Sequence, residues 1–301
     1  MPERIVLSVR ELVEFVLRGG SIDNRFGGLD RAQEGSRIHR RLQKQGGEQY
    51  QAEVSLSLEC VCGDHPMLIE GRADGVITDE NGVTIDEIKT TGVPLELVGE
   101  DFNRVHWAQA MCYGHMLCDL TGMENVNIRL TYFQIETEEI KRFQRQCTAA
   151  DLKAFFEDLI WQYQQWADLQ VEWAVVRDTS IRALPFPFPA YRRGQRTLAV
   201  EAYRTIRDGG RLFCQAPTGI GKTISTLFPA VKAIGEGEAE KIFYLTAKTI
   251  TRQVAQDACA QMREQGLRLK TVTLTAKDKI CFAEERNCNP DRYHQIPYGT
   301  F

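Results

Sequence analysis

Asp74, Glu87 and Lys89 fall within "IEGRADGVITDENGVTIDEIKTT", residues 69 to 91, two short apolar strands joined by a turn at Glu80-Asn81-Gly82. A packed sheet normally excludes such residues, because a buried charge is costly unless it is paired or holds a metal. Side chains two apart on a strand share a face, so Glu87 and Lys89 project together while Ile88 points away. Asp74, on the preceding strand, can sit beside them across the ladder. Asp86 is the rival acid; it points to the other face, and only Glu87 pairs with Lys89 at a spacing of two. Carboxylate oxygens are the ligands that a hard divalent cation takes.

A second stretch with chemical potential is "APTGIGKT", residues 216 to 223, between the apolar run "RLFCQ" and the helical run "TISTLFPAVKAI". Strand, glycine-rich turn and helix stand in the order of a phosphate loop. Gly219 and Gly221 let backbone N–H groups converge on phosphate oxygens, and the helix N-terminus adds its dipole. Pro217, Thr218 and Ile220 complete the loop, Lys222 reaches the β- and γ-phosphates of ATP, and Thr223 holds Mg2+. The strict pattern wants glycine where this chain has Ala216, and the A-P-T-G-x-G-K-T version resembles that of superfamily-2 helicases.

Further segments extend that resemblance to the DinG/XPD-type DNA helicases. "FPFPAYRRGQ" resembles their adenine-recognising Q motif, which implies Gln195 as reader of the adenine edge and Tyr191 or Phe188 as a stacking ring. "YLTAKT", residues 244 to 249, is similar to motif Ia, which implies that Thr246 and Lys248 meet a single-stranded DNA backbone. "KDKICFAEERNC" is similar to the opening of the family's iron–sulfur region, with Cys281 and Cys288 as thiolate ligands. Such a cluster needs four ligands, and Tyr293 stands where a third is expected, so a 4Fe–4S cluster is implied only for a complete relative.

The D…ExK pattern of Asp74, Glu87 and Lys89 resembles the PD-(D/E)XK nuclease core. The resemblance implies that the two carboxylates hold Mg2+ or Mn2+, that the Ile88 carbonyl adds a ligand, and that Lys89 orients or activates the attacking water. Two companions stand in the order and spacing of the RecB-like nucleases. His39, in "EGSRIHRRLQ", occupies the place of a metal-binding histidine; Gln109 and Tyr113, in "QAMCY", match the QxxxY element that lines the DNA-binding side. "ECVCGDHP" offers Cys60, Cys62 and His65, but no second ligand pair follows at zinc spacing, and it reads as a strand end and turn.

The elements that must position these residues follow from periodicity. Helical patterns run from Ser8 to Arg18 and from about Leu29 to Gln45; strand patterns follow at 50 to 62, 67 to 78 and 83 to 90. A helix through "DFNRVHWAQAMCYGHMLCDLTG" stops at Gly122, "VNIRLTYFQI" reads as a strand and "TAADLKAFFEDLIWQYQQWADLQ" as a long helix. Past Arg177 the chain becomes rich in proline and aromatics; beyond Arg211 the apolar runs "RLFCQA", "KIFYLTA" and "KTVTLTA" alternate with helical ones.

The expected class is therefore α/β: a restriction-endonuclease-like mixed sheet flanked by helices over residues 1–178, then a partial RecA-like parallel sheet over 179–301 with the start of the iron–sulfur region. At 301 residues, with 43% hydrophobic content, both can bury cores. A net charge of −4 supplies no global basic field, so nucleic-acid contact must come from local clusters. The N-terminus lacks a signal peptide, no run approaches membrane-spanning length, and nine scattered cysteines suit a reducing compartment, which together point to the cytoplasm.

The expected function is a hydrolase acting on single-stranded or junction DNA in repair or processing: an ATP-dependent helicase fused to a metal-dependent nuclease. The chain stops before a Walker B segment and a second motor lobe, so it reads as truncated. The rival readings are a helicase whose nuclease-like domain only binds DNA, a P-loop ATPase with a non-nucleic substrate, and an inert product.

Overall fold

The computed structural model describes residues 4–19, 29–217, 219–246, 249–276 and 279. In chain order the described elements are β1 (Ile5–Ser8), α1 (Val9–Leu17), α2 (Leu29–Gln45), β2 (Tyr50–Cys62), β3 (His65–Asp79), β4 (Gly82–Thr91), α3 (Arg104–Thr121), β5 (Asn125–Gln134), β6 (Ile140–Thr148), α4 (Ala149–Ala183), α5 (Gln195–Arg207), α6 (Lys222–Gly235) and α7 (Thr249–Glu264). The chain divides within α4, between Asp168 and Leu169, into two compact units.

In the first unit one mixed sheet has the order β1-β3-β4-β5-β6, with β2 paired to the other edge of β3. β1 runs parallel to β3 and β4 parallel to β5, while β2–β3, β3–β4 and β5–β6 are antiparallel. The long strand β3 is shared: Met67–Glu70 pair with β1, Gly75–Asp79 pair with β4, and the stretch between them pairs with neither. The sheet therefore forks at residues 71–74. Beyond Asp86, β4 leaves β3 and continues beside β5 alone. β4 is buried on both faces from Thr84 to Ile88, as suits a central strand, although two of those five residues are acids.

The helices cover the sheet by local signals. Ser8 and Glu11 form a reciprocal capping box at the start of α1, and Asn103 caps α3, which ends at Gly122 in the left-handed region (φ 73°). Leu12, Met67, Ile69, Ile85, Met116 and Ile128 belong to the main core. Ile88 turns to the opposite side, into a smaller cluster with Ile38, Leu42 and Phe133 beneath α2. Gly71 faces the Tyr113 ring: a Cβ there would lie 2.5 Å from Cε1. Gly71→Ala is accordingly expected to destabilise the unit by about 1–3 kcal/mol through overpacking, read as a lowered melting temperature; an unchanged melting temperature would show that the ring can step aside.

The mixed sheet and its helices match the sequence-based expectation, with two strands added. β1 and β6 were not anticipated: the first is only four residues long, and the second alternates weakly because most of it is exposed. α4 also runs through Ala183, past the start of the expected linker.

The second unit departs further from its expectation. Its core gathers Ile181, Leu184, Ile224, Leu227, Phe228, Val231 and Met262. Among the described residues, however, the runs at 211–216, 241–246 and 270–276, expected as parallel strands, form no ladder. Phe213 is 95% exposed, Leu245 89% and Val272 83%. An apolar run becomes a strand only when a neighbouring run takes its N–H and C=O groups in register. No described helix is long and apolar enough to cross a membrane.

Candidate functional site

Four elements meet at the fork between β3 and β4. Asp74 stands one position before the last β3–β4 pair, Gly75 with Asp86, at the point where the strands part. Its Oδ2 accepts the Ile88 N–H at 2.8 Å, and its Oδ1 lies 3.3 Å from His39 Nδ1 on α2. It is thus the Ile88 N–H, from the residue expected to contribute a carbonyl, that Asp74 meets. Burial pulls the His39 pKa down, but the hydrogen bond and charge of Asp74 lift it above its ordinary value.

Glu87 is 1% exposed. Its Oε1 accepts Lys89 Nζ at 2.7 Å, while its Oε2 is buried with no hydrogen-bond partner. Burial raises its carboxyl to about 7, against the opposing pull of Lys89. Lys89 also donates to Gln109 Oε1 on α3 at 3.1 Å, and Gln109 Nε2 lies 3.5 Å from Tyr113 Oη, a long contact. Tyr113 is 3% exposed and burial pushes its hydroxyl up to about 12, so its ring packs in the core and its link to Lys89 runs through Gln109. Scattered over 75 positions of sequence, these residues form two runs of contacts, His39–Asp74–Ile88 and Glu87–Lys89–Gln109–Tyr113, which meet at the peptide link between Glu87 and Ile88.

Asp86 faces away from both runs. Arg129 Nε donates to it at 2.9 Å, Thr131 Oγ1 at 2.6 Å and Tyr50 Oη at 3.1 Å, so its charge is neutralised and its oxygens are occupied. Two adjacent acids in one buried strand thus have opposite environments, one fully partnered and one with an oxygen to spare.

A divalent cation suits part of this arrangement. An orphaned buried carboxylate oxygen beside a second carboxylate is a donor set for a hard ion. Among the described residues, no group of three or more His, Cys, Asp or Glu side chains is gathered closely enough to hold a metal. Cys62 ends β2 and donates to the Ile160 carbonyl at 3.5 Å, and His65 opens β3, 2.9 Å from Asp168.

His106 belongs to the same neighbourhood and escaped sequence reasoning. It lies one turn before Gln109 on α3, bonded to Tyr132 Oη at 2.9 Å and Asn103 Nδ2 at 3.1 Å; burial, then the charges of Lys89 and Arg10, push its pKa down to about 3. The signal was present, since 106, 109 and 113 share a helical face.

In the second unit the phosphate loop has the backbone its glycines predict. Gly219 and Gly221 both have φ 84°, and Gly221 is the N-cap of α6. Lys222 Nζ donates to the carbonyls of Ala216 (2.9 Å) and Pro217 (3.0 Å), within its own loop. Tyr244 Oη donates to Thr223 Oγ1 at 3.3 Å. Gln195, at the start of α5, is 3% exposed and accepts the Arg192 N–H at 2.9 Å; its Nε2 lies 2.5 Å from where a Gly221 Cβ would stand. Ile220 sits beside Gly194, and Arg192 donates to the Gly219 carbonyl. Tyr191 stacks on Phe186 at 3.8 Å, with Phe188 near the same ring. Thr246 is exposed. Thr218, Lys248, Cys281, Cys288 and Tyr293 lie outside the described residues.

Comparison with known proteins returns both halves of this picture. The family model of the PD-(D/E)XK nuclease superfamily matches residues 14–187, and that of the DEAD/DEAH box helicases matches residues 196–296. A Methanocaldococcus jannaschii protein named Probable ATP-dependent helicase MJ0942 is 35% identical over 69 residues, which cover 23% of this chain and 10% of that relative's length. The crystal structure of SSO0001 aligns with 53% of this chain and 77% of its own at 21% identity, with a TM-score of 0.35.

Proposed function

The chain belongs to the PD-(D/E)XK nuclease superfamily and carries a DEAD/DEAH box helicase domain, and on that premise we propose that it is a DNA-processing hydrolase: a metal-dependent nuclease over residues 1–178 fused to the ATP-binding part of a helicase over 179–301. The observation that carries the reading is Glu87, buried on a central strand with one oxygen on Lys89 and the other unpartnered. A fold tolerates such an atom where something else uses it.

Each residue then has a task. Glu87 and Asp74, with His39 and the Ile88 carbonyl, are the proposed ligands of Mg2+ or Mn2+. The cation, when bound, supplies a charge that acidifies water and offsets the negative charge gathering on the phosphate. Lys89 has three donors; two meet Glu87 and Gln109, and the third can orient a water or a phosphate oxygen. Gln109 fixes the lysine, and Tyr113 backs Gln109. In the second domain Lys222, Thr223 and the loop from Pro217 to Gly221 take the phosphates and Mg2+ of ATP, and Gln195 takes the adenine. Thr246 and Lys248 are the proposed contacts to single-stranded DNA. Repair or foreign-DNA handling in the cytoplasm is the setting that this pairing of cutter and motor suits.

Labelled single-stranded DNA incubated with the protein and Mn2+ or Mg2+ is expected to be cut, with cleavage abolished by EDTA and restored by excess metal. A second reading, in which the first domain binds DNA without cutting it, draws on the lack of a preassembled three-ligand cluster among the described residues. Retention of labelled DNA with no cleavage in either metal would select it and end the nuclease reading.

A further inference from the structure

Asp74 occupies an irregular point in the sheet. In the β2–β3 ladder Ala52 pairs with Gly75 and Val54 with Ala73, but Glu53 and Asp74 between them are unpaired. Glu53 has φ 56°, a left-handed conformation that a non-glycine residue adopts at a cost of order 1 kcal/mol. The alternation of β3 slips at the same point. Met67, Ile69 and Ala73 belong to the main core before Asp74, and Val76 after it, whereas Gly75 faces the Tyr50 ring.

Gln43 fills the break. It is 7% exposed and lies one helical turn beyond His39 on α2, and its Nε2 donates to the Asp74 carbonyl at 2.9 Å and to Glu53 Oε1 at 2.9 Å. The other oxygen of Glu53 is 2.6 Å from Arg72 Nε. One amide group from the helix thus ties together the two residues that the ladder has released. Nothing in the cleavage chemistry above uses Gln43 or Glu53.

We propose that Gln43 and Glu53 are positioning residues for metal-dependent cleavage: they hold the Asp74 main chain out of the ladder, so that its carboxylate meets His39, the Ile88 N–H and a divalent cation. A strand continuing in step would carry every second side chain on to the same face, and a slip of one residue exchanges the faces. The break therefore decides where the Asp74 carboxylate goes, and the Gln43 amide takes the place of the missing ladder bonds. This inference rests on the nuclease reading and deepens it.

The test uses the full chain in three forms: wild type, Gln43→Leu, which removes both donors at similar volume, and Glu53→Gly, which keeps the left-handed backbone and removes the carboxylate. Mn2+ binding is measured by calorimetry without DNA, and cleavage is followed against Mn2+ concentration. Gln43→Leu is expected to weaken Mn2+ binding about tenfold to a hundredfold. It should raise the Mn2+ needed for half-maximal cleavage by the same factor and leave the rate at saturating metal within a few-fold. Glu53→Gly is expected to shift both quantities the same way by a smaller factor. A purely structural role would lower the folded fraction without moving the affinity of the folded molecules, and that result overturns the proposal. If Gln43→Leu does not fold, Glu53→Gly decides alone: wild-type Mn2+ affinity in that variant overturns the proposal. Wild-type protein that binds no Mn2+ and cuts nothing removes the nuclease reading together with this one. Wild-type cleavage with unchanged variants removes this one only.

Discussion

Glu87→Gln is expected to lower metal-dependent DNA cleavage by about a thousandfold while leaving the fold as stable as before or more so. The loss follows from removing the buried charge that faces the proposed cation; taking away one electrostatic contact to a reacting centre costs about 10²–10³ in rate. The stability half follows from the cost of a buried carboxylate with an unpartnered oxygen, while the amide oxygen of the variant can still accept from Lys89. Burial lifts this carboxyl from 4.5 to about 7, so in metal-free protein the native state keeps a proton that the unfolded chain releases. Stability from this group is then full below the unfolded value, falls as pH rises toward about 7 and stays low above it. The variant escapes that loss, so its advantage in melting temperature, measured in EDTA, should be largest near pH 8 and shrink as pH falls toward 4.5. The amide still leaves one polar atom without a partner, which keeps the gain partial. Cleavage within tenfold of wild type would remove Glu87 from the chemistry.

The opposite outcome is expected one residue away. Asp86→Ala leaves the Arg129 guanidinium without its carboxylate, and the Thr131 and Tyr50 hydroxyls without their acceptor. Breaking a buried pair from one side typically costs 3–5 kcal/mol. Arg129 is 22% exposed and, with Tyr50 and Arg142, lines a cavity of about 250 Å3 that can admit water, so a loss of about 3 kcal/mol is expected. For a unit of this size that lowers the melting temperature by roughly 6–12 °C. Cleavage per folded molecule should stay within a few-fold of wild type. Thermal unfolding and initial rates on the two variants separate the roles: unchanged stability in Asp86→Ala together with lost cleavage would mean that the two acids have been assigned the wrong way round.

Much of this arrangement is legible without coordinates because it depends on local periods. The spacing of two between Glu87 and Lys89 puts them on one strand face, and the spacing of four between Gln109 and Tyr113 puts them on one helix face. Gly219 and Gly221 mark the left-handed turns of the phosphate loop for the same reason: only the backbone at those positions is involved. His106 is readable by the same logic, one turn before Gln109 on that helix face.

What the chain order could not supply is every relation between residues far apart in it. The preference for Glu87 over Asp86 came from a two-residue spacing, but the reason Asp86 is occupied lies 43 positions on, at Arg129, in a strand whose partner and register are set by packing. Gln43 holds the Asp74 carbonyl across 31 positions, and the left-handed Glu53 opposite it breaks no pattern visible in a list of residues. The runs at 211–216, 241–246 and 270–276 show the limit most plainly. Their apolar pattern promises strands, yet a strand is a pairing, and among the described residues these runs form no ladder. Local backbone period is a property of neighbours in sequence; strand partners, ion pairs and ladder breaks are contacts between distant segments, and only the packed chain decides them.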